Sequence, residues 1–115
     1  MLFSSITPSA LTLPDNKELT IDLFSTTIVL LSSTQALSIA GLVATGGNTD
    51  GMVVCFSNVN TSAFALSFLH ESSFASAVTN RFRCANSTSI TVAQYGAVSF
   101  RYSSFTSRWQ AFSKV

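Results

Sequence analysis

Apolar side chains recur at every second position of this chain, in short runs broken by turn-forming residues. That rhythm constrains the fold more than any other feature. Leu19, Ile21 and Leu23 alternate with Glu18, Thr20 and Asp22, the pattern of a strand with one face on a core and one in water. Met52–Ser57 is apolar on both faces, as a central, doubly covered strand is. Phe64, Leu66 and Phe68 alternate again, followed by Phe82 with Cys84, Ile90 with Val92, and Val98, Phe100 with Tyr102. Trp109 and Ala111 complete the series, flanked by Arg108 and Gln110. Between the runs lie turn formers: Gly46 to Gly51, Ser57 to Asn60, Asn86-Ser87 and Ser103 to Ser107. Strands at this spacing predict an all-β sandwich or barrel. Helical spacing is weak throughout, and Glu71 to Val78 has room for a turn or two at most.

One stretch admits a second reading. Leu23 to Thr49 carries no charge, and its middle approaches the hydropathy of a membrane span. Ser32-Ser33-Thr34-Gln35 would then sit at mid-bilayer, where four consecutive polar groups are poorly placed. Two buried strands, Thr27–Leu31 and Ala36–Val43, joined by that tetrapeptide, fit better. No membrane partner is expected.

Composition narrows the function classes. Charged residues are only 10% of the chain, less than half the usual ~25%, while Ser and Thr fill 33 of the 115 positions. Six basic and five acidic residues give a net charge of +1, so electrostatic nucleic-acid binding is not expected. A soluble monomer ordinarily carries more charge; the shortage fits a protein that lives inside an assembly. Cys55 and Cys84 lack the spacing of a zinc or redox motif. Both read as small buried hydrophobes, with a Cys55–Cys84 disulfide as the alternative. The first residues show no basic region leading into an apolar run, so the expected place of synthesis is a cytoplasm.

The chemistry-bearing residues do not converge on a reaction. A Ser-His-Asp triad would have to use His70, the sole histidine, with Asp22 or Asp50 to orient it, and no nucleophile elbow is present. Cys55, His70 and Cys84 lack metal-ligand spacing. Asp15, Glu18 and Asp22 read as a solvated strand face rather than paired catalytic acids. No catalytic residue, cofactor or metal is expected. The sequons at Asn60 and Asn86 are what chance supplies in so hydroxyl-rich a chain. Tyr95 and Phe105 fall in loops, where an aromatic ring can stack on a sugar or pack on a neighbouring subunit; the second reading is preferred.

From Asp50 to Trp109 the sequence resembles a family of small β-sandwich domains in structural proteins of tailed bacteriophages. The resemblance rests on order and spacing. Asp50-Gly51 precedes a hydrophobic strand (Val53, Val54, Phe56) ending in Asn58. Then come Phe64, Leu66 and Phe68, the step Asn80-Arg81-Phe82, the strand Ile90-Thr91-Val92, Gly96 leading into Val98, Phe100 and Tyr102, and finally Arg108-Trp109. It implies an antiparallel, jelly-roll-like sandwich, commonly trimeric and without catalytic residues.

The expectations are therefore specific. Residues 1–16 form an extended N-terminal arm, punctuated by Pro8 and Pro14, and residues 17–115 form one antiparallel, jelly-roll-like β-sandwich. Val54, Phe56, Leu66, Phe82, Ile90, Val98, Phe100 and Trp109 lie inside, with Phe82, Phe100, Tyr102 and Trp109 as a core aromatic motif. Leu2, Phe3, Ile6, Leu11 and Leu13 anchor the arm on a capsid or a neighbouring protomer. The expected function is capsid decoration, a cement protein stabilising a phage head as a homotrimer on the major capsid protein or another virion protein. The alternative is a receptor- or carbohydrate-binding domain of a head or tail fibre. The expected location is the virion, after synthesis in the host bacterial cytoplasm.

Overall fold

The computed structural model describes residues 3–6, 17–22 and 26–115. Ten strands follow in chain order: β1 (Phe3–Ile6), β2 (Lys17–Ile21), β3 (Thr26–Leu31), β4 (Leu37–Ala44), β5 (Val53–Asn58), β6 (Leu66–Phe68), β7 (Phe82–Arg83), β8 (Ile90–Val92), β9 (Ala97–Ser103) and β10 (Arg108–Lys114). Where Glu71 to Val78 had room for helix, the chain makes turns, and a single 3-10 turn follows at Val78–Asn80. Among the described residues no helix is long and apolar enough to cross a membrane. The uncharged stretch instead supplies β3 and β4, joined through Ser32 to Ala36.

The strands form two sheets, one ordered β1-β3-β5-β9-β10-β7 and the other β2-β4-β6-β8. From β1 to β8 the chain alternates between them, so Phe3, Thr26 and Val53 stand side by side one circuit apart. A strand laid down after a full circuit points the same way as its predecessor. Hence β1–β3–β5 and β2–β4–β6 are parallel stacks. The end of the stack is different: β8 runs antiparallel to β6, β9 to β5 and β10 to β9, while β7 is parallel to β10.

This corrects the expected antiparallel jelly roll. The fold is all-β, but its sheets are mixed, and most pairings among the described residues are parallel. The physical reason lies in the connections. A period of two sets which face is buried and is identical for parallel and antiparallel strands; direction is set by whether the chain turns back beside itself or crosses to the other sheet. Here the links 32–36 and 45–52 cross. A second correction concerns the arm, because Phe3–Ile6 pairs with β3 as a strand of the six-stranded sheet.

The core lies between the sheets. Phe56, Phe68, Phe82 and Phe100, from β5, β6, β7 and β9, form a tetrad in which every ring lies within 6.3 Å of every other. Such aromatic contacts add about 0.5–1.5 kcal/mol per pair beyond area burial. Trp109 packs edge-on against Tyr102, its ladder partner, at 5.0 Å. Val54, Leu66 and Val98 are also buried; Ile90 is only partly so, because β8 is the last strand of its sheet. Both cysteines are free, Cys84 in the core and Cys55 half-buried.

Two further features hold the sheets in place. Asn58 and Asn60 are buried amides: Asn58 Nδ2 donates to the carbonyls of Phe64 and Val92, and Asn60 Oδ1 accepts from the Ser33 amide. The asparagine of the Asn60 sequon is therefore buried, while Thr61 and Ser62 are exposed. At Gly41 a Cβ would stand 2.6 Å from the Asn80 carbonyl, so only glycine lets the 71–80 segment lie against β4.

Candidate functional site

Strand alternation places Phe100 and Tyr102 of β9, Trp109 of β10 and Phe82 of β7 on the core. Their other face carries Arg101 and Ser103, Arg108 and Gln110, and Arg83. Gln110 is the rung between Arg101 and Arg83, and Arg108 pairs with Ser103. Arg81, just before β7, is tied to β10 by its carbonyl, which accepts the Trp109 amide at 3.0 Å. All four arginines of the chain thus gather on one sheet face, with Glu71 and Asp50 as their ion-pair partners.

Glu71 lies against the arginines from a turn with left-handed backbone (φ 46°), its amide donating to the Phe82 carbonyl at 2.9 Å. Arg108 Nε donates to both carboxylate oxygens at 2.9 and 3.0 Å. Arg83 reaches Oε2 through Nε at 3.0 Å and Nη2 at 2.8 Å, and Arg81 Nη1 stands 3.8 Å from Oε1. Burial alone pushes the Glu71 carboxyl up, but the hydrogen bonds and charges of Arg108 and Arg83 outweigh it and hold it below the ordinary glutamate value. Arg81 Nε is buried and makes no hydrogen bond to any described residue.

The loops at 45–52 and 103–107 meet at one end of this face. Gly51 donates to the Tyr102 carbonyl at 2.9 Å, with Gly51 at φ 87°. Asp50 Oδ1 accepts the Ser104 amide at 2.8 Å, and chiefly that bond holds its carboxyl below the ordinary value. Arg101 is 3.9 Å from Asp50, both about half exposed. Beside them is an open depression of about 270 Å³ lined by Arg101, Ser103, Thr106, Gln110 and Phe112. Phe112 has no partner in the ladder, because a β-bulge sets it with Ser113 opposite Ser99, a device that re-aims a side chain. Phe105, at the tip of the turn, is 96% exposed.

Asp15 lies outside the described residues, and among those described the residues weighed for catalysis hold other partners. His70 Nδ1 accepts the Cys84 amide at 2.9 Å, Asp22 accepts the Thr45 hydroxyl at 3.2 Å, and Asp50 is held by Ser104. Among the described residues no group of three or more His, Cys, Asp or Glu is placed to hold a metal ion. Burial, opposed by a backbone hydrogen bond from Ile90 and aided by the charge of Glu71, pushes the Cys84 thiol up to about 11, so it is unreactive at neutral pH. Glu18, read as part of a solvated face, instead accepts the Ser76 amide and hydroxyl and the Asn80 side-chain amide, pinning the 76–80 loop.

Of the anchor residues, Leu2, Leu11 and Leu13 lie outside the described residues; Phe3 and Ile6 are described by backbone, at the two ends of β1. Phe82, Phe100, Tyr102 and Trp109 are all buried. The arginine face was missed as a unit in the sequence. Its traces there are Arg81-x-Arg83, at strand period, and Arg101 and Arg108 on either side of one turn. No family model, no curated protein and no solved structure matches the chain.

Proposed function

We propose that this chain is a structural, non-enzymatic protein of a bacteriophage particle, a decoration or cement protein that works as a homo-oligomer, with three-fold symmetry the favoured assembly. The observation that carries this reading is exposed apolar bulk on a chain nearly devoid of charge. Phe74, Val78, Tyr95, Phe105 and Phe112 all stand in solvent, whereas charged residues make up only 10%. We read these side chains as points of contact with other proteins. The resemblance to phage sandwich domains adds support, and the antiparallel pairings β5–β9 and β6–β8 fall within the stretch from Asp50 to Trp109 that carries it. The partners are copies of itself and a major capsid or other virion protein, and the location is the virion, after synthesis in the host bacterial cytoplasm.

Light scattering at micromolar concentration should report three times the 12.3 kDa chain mass, and electron cryo-microscopy of the intact particle should place the chain on the head shell. A monomer in solution, together with no density on the shell, would end this reading. A second reading, a receptor- or carbohydrate-binding domain of a head or tail fibre, is favoured by the depression beside Phe112 with its mixed guanidinium, hydroxyl, amide and aromatic lining.

A further inference from the structure

We infer that the outer face of β9 and β10 binds an acidic polysaccharide, one carboxylate-bearing sugar unit of which sits in the depression formed by Arg101, Ser103, Thr106, Gln110 and Phe112; this rests on the carbohydrate-binding reading above. Charge is the first argument. The whole chain carries +1, yet this face gathers all four arginines against two carboxylates. The Glu71 cluster shows how guanidiniums here engage a carboxylate, through Nε and Nη2 of Arg83 and both oxygens on Arg108 Nε. Arg83 and Arg108 are committed to that contact, and Arg81, 3.8 Å from the carboxylate, is largely covered.

Arg101 is not. Its one ion pair among the described residues is 3.9 Å long and half exposed, too loose to compete with a two-pronged carboxylate contact, which the flat guanidinium fork favours.

The rest of the lining selects the kind of acid. Ser103 and Gln110 present a hydroxyl and an amide on adjacent strands, and Gln110 Nε2 is fixed on the Arg83 carbonyl at 3.2 Å, which orients its oxygen. Alternating donors and acceptors suit the hydroxyls of a pyranose. Phe112, raised by the bulge, offers a ring beside them for the apolar face of the sugar. A nucleic-acid backbone would call for a line of cations instead, and this face has one uncommitted guanidinium beside a hydroxyl-binding wall.

Titration of the full-length protein with a panel of uronate and sialate oligosaccharides, followed by calorimetry and amide chemical shifts, tests the inference. An acidic oligosaccharide should bind, lose affinity as salt rises from about 0.05 to 0.3 M, and shift the amides of β9 and β10. Arg101→Gln and Phe112→Ala should each weaken it at least tenfold. Both side chains are exposed, so circular dichroism should show the fold intact. Neutral galactose oligomers binding as tightly, with Arg101→Gln silent, would leave a glycan site but overturn its acidic character. Binding of polyglutamate in preference to every sugar would assign the face to an acidic protein segment. No binding of any saccharide at millimolar concentration would overturn both the inference and the carbohydrate reading.

Discussion

The indole Nε1 of Trp109 donates a 2.9 Å hydrogen bond to the carbonyl of Leu42, a buried link from β10 in one sheet to β4 in the other. Trp109 is fully buried, so the bond is made away from water, where an unpaired partner is costly. Trp109→Phe keeps much of the packing but leaves the Leu42 carbonyl with only a 3.4 Å bond from Asn48 Nδ2. The expected loss is about 1–3 kcal/mol, against about 3–5 kcal/mol for Trp109→Ala. Urea unfolding, with an unchanged slope for the Phe variant, measures both.

Glu71 predicts an acid limb in the stability curve. Its carboxyl sits below the ordinary 4.5 in the folded protein, so on acidification the unfolded chain takes up the proton first. The stabilisation is complete above about pH 4.5 and is lost as pH falls through the lower folded value. Glu71→Gln should cost about 1–3 kcal/mol at neutral pH and flatten this limb. Thermal melts between about pH 3 and 7 decide it; equal acid limbs in both proteins would assign the effect to other carboxyls.

Thr106→Val should not destabilise. Thr106 Oγ1 is buried and makes no hydrogen bond to any described residue, so its desolvation is uncompensated. A methyl of the same shape removes that cost, and stability should stay level or rise by up to about 1 kcal/mol. A loss beyond about 1 kcal/mol in a denaturant titration would show that the hydroxyl has a partner after all.

Asn58→Ala should be among the most damaging changes to a polar residue. Its amide reaches the Phe64 and Val92 carbonyls, and its oxygen accepts the Asn60 amide at 3.1 Å. Asn60 Nδ2 still serves Phe64 at 3.1 Å, but Val92 and the Asn60 amide lose this partner inside the fold. The expected cost is about 2–4 kcal/mol, read as a lowered melting temperature.

The sequence made the strands and the inward residues legible, because alternation is a local property. Val54, Phe56, Leu66, Val98, Phe100 and Trp109 are buried, and the fully apolar Met52–Ser57 run holds β5, central in its sheet. Direction of pairing was not legible, since the same alternation serves a hairpin and a circuit. Nor was the arginine face. Arg101 and Arg108 alternate with the inward residues of β9 and β10, but Arg81 and Arg83 join them only because β7, two residues long, docks parallel on β10. That contact spans the chain between Phe82 and Trp109 and leaves no periodic trace. Glu71 escaped for a related reason: a segment with weak helical spacing instead turns sharply at a left-handed residue and delivers its carboxylate to β7 and β10.

The circuit by which β1, β3 and β5 become neighbours has a consequence for the newborn chain. On a ribosome the N-terminal strands emerge first, and each must wait a full lap for the next strand of its own sheet. The tight local partnership is β9 with β10, joined by the 103–107 turn, and it follows the other eight strands in the chain. Proteins dominated by such distant pairings collapse slowly, and Phe56 and Phe68 meet Phe82 and Phe100 only when nearly the whole polypeptide is available. Until the later strands are made, the apolar faces of the earlier ones lack the neighbours they bury against.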